Sequence, residues 1–515
     1  MAIINSLNRR RVIPNWRDFK STLENGELKC QLDKSFKIPN SDRLLQERID
    51  DFLNSSSIGT AADLVSVAYV LEKYENPDVK KALDYIEENK KSASQSLKDL
   101  GEKFRSQKFV DQDKQIIQDK PISPEENYIL NIRTKIGQIK KYLRLYPINP
   151  IAWVEISRLY SMLGQKTQSE KAMKIALTLD PNNRFIIRSA VRLFIHNDKA
   201  DEAYYYIRKT ESLKFDPWLL STEIATSCIL ERRPKFVKES VSLIDSGNFS
   251  NFSITELSSS LGTLEFYEGS SKKSKGFFRK SLLAPNDNSL AQVEWISKED
   301  RSLQFNTDKI TIKNPQEAYA IKSFEDCNWN RALHYSESWL NDIPFSTRPV
   351  LIGSFVAETF LDDNEKAMQL CKRGLIANPN DIIVQNNLIC SYAQANMLDD
   401  AVQLLERIKP EIPDLSDENK IVLQATTGLI LFRLGEYEKG RELYMKAIEN
   451  AKNGKFEYLK NMAHLHLTRE EINAKTDQIE SAITKTEKEI LNSTDSDVKE
   501  LFKIIKKKYE SEKNK

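Results

Sequence analysis

Prolines recurring at a near-constant interval constrain this chain more than any other feature. Pro147 and Pro181 are 34 residues apart, Pro344 and Pro379 are 35 apart, and Pro379 and Pro413 are 34 apart. Pro285 follows Pro181 by 104 residues, three intervals plus two. Pro344 follows Pro285 by 59, one interval plus 25, so an insertion lies between them. Proline cannot continue a helix, so each recurrence marks where one helix stops and the chain turns into the next unit. A chain of 515 residues has room for about three ordinary domains or one long array, and the interval selects the array.

The text between the prolines repeats as well. One copy reads Trp153-x2-Ile156-Ser157-x2-Tyr160, then Gly164, Ser169-x3-Met173-x2-Ala176 and Pro181. Others read Leu261-Gly262, Gly269, Ser274-x3-Phe278-x2-Ser281, and Thr427-Gly428, Gly435, Gly440-x3-Tyr444-x2-Ala447. Second-helix signatures recur at Ala332-x3-Ser336-x2-Trp339, Ala367-x3-Cys371-x2-Gly374 and Ala401-x3-Leu405. Small residues hold the positions where helices would cross, because axes about 8–10 Å apart leave no room for branched side chains. The pattern resembles the tetratricopeptide repeat. That resemblance implies an all-α chain, an α-solenoid of about eight antiparallel helix pairs over residues 150–452.

The flanks differ in texture. Residues 1–40 read as an irregular basic arm, and 41–105 as a helical region. Within that region Ser41 and Thr60 are expected to cap helices, and Pro77 opens another running towards Phe104. Polar text with Pro121 and Pro124 makes 106–124 a linker. A first array is expected over 125–297, an interruption at 298–314, and a second array with a capping helix over 315–475. The interruption leaves room for the two arrays to meet at an angle. Residues 476–515 carry Ile479, Ile483, Ile490, Val498, Leu501, Phe502, Ile505 and Tyr509 at helical spacing, a charged helical tail with an apolar stripe.

Composition narrows the function. Glycine is 15 of 515 residues, about 3% against a usual 7%, which disfavours Gly-rich phosphate loops and most all-β folds. Lys+Arg number 77 and Asp+Glu 75, so no global charge points to nucleic acid or membrane. No run reaches the roughly 18 apolar residues of a membrane span. The N-terminus puts its apolar residues before Arg9-Arg10-Arg11, the wrong order for a secretory signal. Cys30, Cys228, Cys327, Cys371 and Cys390 form no CxxC pair, which fits a reducing, cytoplasmic compartment. His464 and His466 lack the i,i+4 spacing of a zinc pair, and no phosphate-loop, nucleophile-elbow or HExxH motif occurs. Acidic pairs Asp362-Asp363 and Asp399-Asp400 read as caps of second helices. No enzyme and no cofactor are expected, unless an unrecognised activity lies in residues 1–120.

In the resembled family, the first helix of each pair lines a concave groove that holds a protein partner. Carried onto this chain, the lining positions are Ile151, Val154, Arg158 and Ser161, then Phe185, Arg188, Arg192 and Ile195. Arg158, Arg188 and Arg192, with Phe185 exposed beside them, suit an acidic or phosphorylated ligand. The family's clamp for chaperone C-termini is not reproduced. Val154, Arg158, Ser189, Leu219 and Glu223 stand at its positions in the first units, and of Ile352, Val356, Asn387, Val422 and Thr426 in the last, Asn387 alone agrees in type.

Arg9, Arg10, Arg11, Trp16, Arg17 and Phe19 make the arm the other conspicuous element. Cations interleaved with aromatics can dock into a partner, track a phosphate backbone, or pin the segment onto the protein's own helices. The leading expectation is a noncatalytic scaffold or adaptor binding a protein in its groove, as a subunit of a larger complex. Richness in Lys, Asn and Ile suits an AT-rich genome, and a bacterial defence or regulatory operon suits such an adaptor. The alternative is a nucleic-acid-associated subunit using the arm and the concave arginines.

Overall fold

The computed structural model describes residues 10–19, 41–70, 73, 75–94, 97–98, 100–102, 123–491 and 493–513. The chain divides into two compact units, Leu32–Ser123, and Met1–Gln31 together with Pro124–Lys515. Among the described residues all regular structure is helical.

The smaller unit packs helices Ser41–Asn54, Ile58–Val70 and Pro77–Glu88 around Leu45, Ile49, Phe52, Leu64, Val65, Val79 and Leu83. Its second helix starts earlier than the expected cap at Thr60. Ser57 takes that role: its Oγ accepts from Thr60 N at 3.1 Å, and Thr60 Oγ1 accepts from Ser57 N at 3.1 Å. The pair is a reciprocal capping box, with Thr60 at its inner position. Asn76 caps the third helix by accepting from Asp78 N and Val79 N. That helix ends at Glu88, well short of Phe104.

In the larger unit, helix Pro124–Leu145 leads into antiparallel pairs that run from Pro150–Met162 with Lys166–Leu179 to Asp417–Arg433 with Tyr437–Asn453. First helices begin where an Asn or Asp side chain satisfies otherwise unpaired amides, as at Asn149, Asn183, Asp216 and Asp381. Each turn between the helices of a pair contains one left-handed residue: Gly164, Asp198, Glu231, Gly269, Cys327, Asp362, Asn396 and Gly435. Asp363 then caps its second helix by accepting from Lys366 N at 2.9 Å. Asp399 and Asp400 instead lie inside the first turn of Leu398–Ile408, where their charge favours the positive helix end without capping it.

The small residues do sit at the crossings. A Cβ on Gly428 would lie 2.9 Å from the Gly440 carbonyl oxygen, and one on Gly374 would meet Val350 at 2.7 Å. Ser157 and Ser169 bond across the first pair, Ser169 Oγ donating to Ser157 O at 2.8 Å.

Helix Asp287–Glu299 has no second helix of its own. A 3-10 turn, Arg301–Leu303, and a non-helical run to Pro315 follow it before Gln316–Glu325 resumes the array. Phe305 in that run packs edge-on against Phe278 at 6.0 Å. The interruption does not divide the array into separate bodies, because both sides belong to one compact unit. Helices Glu457–Ala474, Ile479–Ile490 and Ser496–Lys513 close the far end and bury Ile483, Ile490, Val498, Leu501 and Ile505.

Candidate functional site

Residues 10–18 of the arm adopt no regular secondary structure, yet they thread along first helices of the array. Arg10 is their deepest anchor. Its Nε donates to Glu317 Oε1 at 3.0 Å, Nη1 to Gln292 Oε1 at 2.6 Å, and Nη2 to Asn288 Oδ1 at 2.9 Å. Asn288 and Gln292 stand one turn apart on Asp287–Glu299, so their amides also reach the arm's backbone. Asn288 Nδ2 donates to Ile13 O at 2.9 Å and Gln292 Nε2 to Arg10 O at 3.1 Å.

Further along, Trp16 is 0% exposed and packs against Phe345 with ring centroids 5.3 Å apart. Arg17 Nε lies 2.6 Å from Asp342 Oδ2, and its Nη2 lies 3.6 Å from Asp287. The Phe19 amide donates to Glu155 Oε1 at 2.9 Å, and its ring meets Phe185 edge-on at 5.2 Å. Arg11 lies over the Tyr267 ring at 4.2 Å. Arg9 lies outside the described residues.

The groove therefore differs in sign from the expectation. Phe185 is buried, not exposed, because Phe19 covers it. Arg158 lies 3.4 Å from Glu155 within its own helix. Arg188 is buried, donates to Glu256 at 2.9 Å and to Trp218 O at 3.2 Å, and lies over the Trp218 ring. Arg192 donates to Ser346 Oγ at 3.5 Å and lies over Phe345. Asn387 is buried and donates to Ser354 Oγ at 3.1 Å. What meets the arm is a set of carboxylates, Glu317, Asp342, Asp287 and Glu155. They have no motif of their own in the sequence; only a count of lining positions carried past the second pair would have reached Glu317.

Electrostatics ties these groups together. Burial opposes the charge of Glu317, but Arg10, Arg348 and Arg192 outweigh it and hold its carboxyl below the ordinary range. Burial pushes Asp287 up to about 7, partly offset by Arg17 and by the amides of Ala318 and Glu317 that it accepts. Arg192 and Arg348 come down to about 10, chiefly through burial. His196, beside Phe345, is lowered to about 3 by burial and then by Arg192. A guanidinium in such a place is tolerated only with its partners in position.

Cys371 and His464 are buried away from this site. Burial raises the Cys371 thiol to about 12 and lowers His464 to about 4. A cavity of about 710 Å³ opens beside the interruption, with Glu294, Asp308, Glu325 and Asp495 among its walls. Among the described residues no group of His, Cys, Asp and Glu is placed to hold a metal ion, and no helix is long and apolar enough to cross a membrane.

Residues 151–183 and 426–453 match the family model for the tetratricopeptide repeat. No curated protein matches the sequence. Among solved structures, a chain of the APC/C hetero-tetramer Cut9-Hcn1 aligns at 12% identity over 90% of this chain and 94% of its own, with a TM-score of 0.35. Yeast Tom70 aligns at 14% identity over 76% of this chain and 96% of its own, with a TM-score of 0.28. At those scores neither neighbour carries an argument; the matched repeats and the helix pairs do.

Proposed function

We propose that this chain, a tetratricopeptide-repeat protein by its matched repeats and helix-pair solenoid, is a noncatalytic interaction scaffold whose concave groove recognises an extended cationic–aromatic segment. Its own residues 10–19 hold that groove in cis. One observation carries the reading: Arg10, Trp16 and Arg17 are all buried among side chains of first helices, of Asp342 at the end of the second helix Trp329–Asp342, and of the turn that follows it. An incoming protein partner would present a similar segment and displace the arm. The ligand class is thus basic, where the concave arginines had suggested an acidic or phosphorylated one. A nucleic-acid role gains no support, since Arg10 and Arg17 already face Glu317, Asp342 and Asp287.

A labelled peptide of residues 8–19 tests this by fluorescence anisotropy. It should bind protein lacking residues 1–19 and fail to bind the intact chain, and Trp16→Ala in the peptide should abolish binding. Equal binding to both proteins, or binding to neither, overturns the reading.

A further inference from the structure

Outside the groove, a second surface has the opposite character. Helices Pro124–Leu145 and Lys166–Leu179 flank a trough of about 370 Å³ whose floor is helix Pro150–Met162. Trp153, Ile156 and Tyr160 line it as an i, i+3, i+7 stripe, on a different side of that helix from Val154 and Arg158. Ile175 on the flanking helix is 38% exposed, as is Leu179 one turn on. Leu145, the last residue of the first flank, and Ile148, in the turn before the floor, are 70% and 78% exposed.

Three cations line the trough, Lys140, Arg144 and Lys171, and no carboxylate does. All three are exposed. Two nearby acids, Glu202 and Glu170, are paired with Lys174 and Lys199. Lys140 lies over the Tyr160 ring at 5.6 Å, so charge and apolar surface form one patch. A contiguous apolar strip rimmed by charge of a single sign marks an interaction surface.

We infer that the trough docks an acidic amphipathic helix of a partner protein, its apolar side chains on Trp153, Tyr160 and Ile175 and its carboxylates on Lys140, Arg144 and Lys171. Helix-in-groove recognition needs this combination, apolar anchors at helical spacing and a complementary rim. Two segments of this same chain that join its units or follow the arm fit poorly by charge. Residues 20–40 carry Lys20, Lys29, Lys34 and Lys37 against Glu24, Glu27 and Asp33. Residues 103–122 carry Lys103, Arg105, Lys108, Lys114 and Lys120 against Asp111, Asp113 and Asp119. Both are net basic, so neither is the occupant. The inference stands apart from the arm-filled groove, which uses other residues.

The test uses the full chain and two labelled synthetic helices with identical apolar stripes, one with glutamate and one with lysine on the remaining face. The glutamate helix should bind, more weakly as salt rises, and the lysine helix should not. Lys140→Glu, Arg144→Glu and Lys171→Glu together should weaken binding about tenfold or more while the circular dichroism melt stays unchanged. Equal binding of the two helices, or undiminished binding to the triple variant, overturns the inference. So does sedimentation that finds the wild-type chain dimeric through this face and blind to either helix, because the occupant is then a second copy.

Discussion

The arm-filled groove and the open trough handle charge in contrary ways. In the groove, Arg10 and Arg17 are buried and matched by Glu317, Asp342 and Asp287. In the trough, Lys140, Arg144 and Lys171 are exposed with no carboxylate among the lining residues. Both surfaces are formed by helices of the larger unit, and they differ in whether residues 10–19 cover them. A groove covered by buried, matched charge contributes to stability, whereas exposed cations cost little to alter.

Breaking the buried side of this contrast should give the largest effect. Glu317→Ala leaves Arg10 and Arg348 without their shared carboxylate, and an uncompensated buried charge costs about 3–5 kcal/mol. Urea denaturation should show that loss. Trp16→Ala removes a fully buried indole, worth about 3–5 kcal/mol in a core. The proposed function requires the arm to leave while the array stays folded, so the loss should appear as rapid tryptic cleavage at Arg10, Arg11 and Arg17, sites expected to resist in the intact chain. Ala176→Leu overpacks a buried crossing of the first pair and should lower stability by about 1–3 kcal/mol, measured by thermal melting, without releasing the arm.

A smaller, pH-dependent effect sharpens the comparison further. Asp287 is raised from 3.8 to about 7, so between those values the folded chain keeps a proton that the unfolded chain has released. Its contribution to stability is fully present below the lower value and is lost as pH rises through the upper one. Asp287→Asn should flatten that decline in denaturation midpoints recorded across the window. On the open side, the Lys140, Arg144 and Lys171 triple reversal should move stability by no more than about 0.5 kcal/mol per site. A large loss there would mean that the trough is a structural seam instead of a docking surface.

Local grammar made much of the fold readable from residues alone. Proline at near-constant intervals and small residues at Gly428, Gly440 and Gly374 state where helices end and where they touch. Both are consequences of backbone sterics within one unit. The turns between helices were legible where Gly164, Gly269 and Gly435 adopt the left-handed conformation and at the acidic pair that begins with Asp362, and hidden where Asp198, Glu231, Cys327 and Asn396 do. At Glu231 and Cys327, the backbone takes a shape that the residue type does not announce.

The candidate site was legible only in part. Its residues stood out by type, as an arginine-rich arm with Trp16 and as concave arginines, but their partners did not. Arg10 meets Glu317 at a separation of 307 residues, and Arg17 meets Asp342 at 325. Sequence by itself determined that the chain forms paired helices, because helix, turn and crossing rules act over a few residues to one repeat. Only the tertiary structure decided that residues 10–19 lie against the array and that carboxylates meet Arg10 and Arg17. That outcome depends on which side chains a superhelix brings together across hundreds of residues, and no local pattern carries that information.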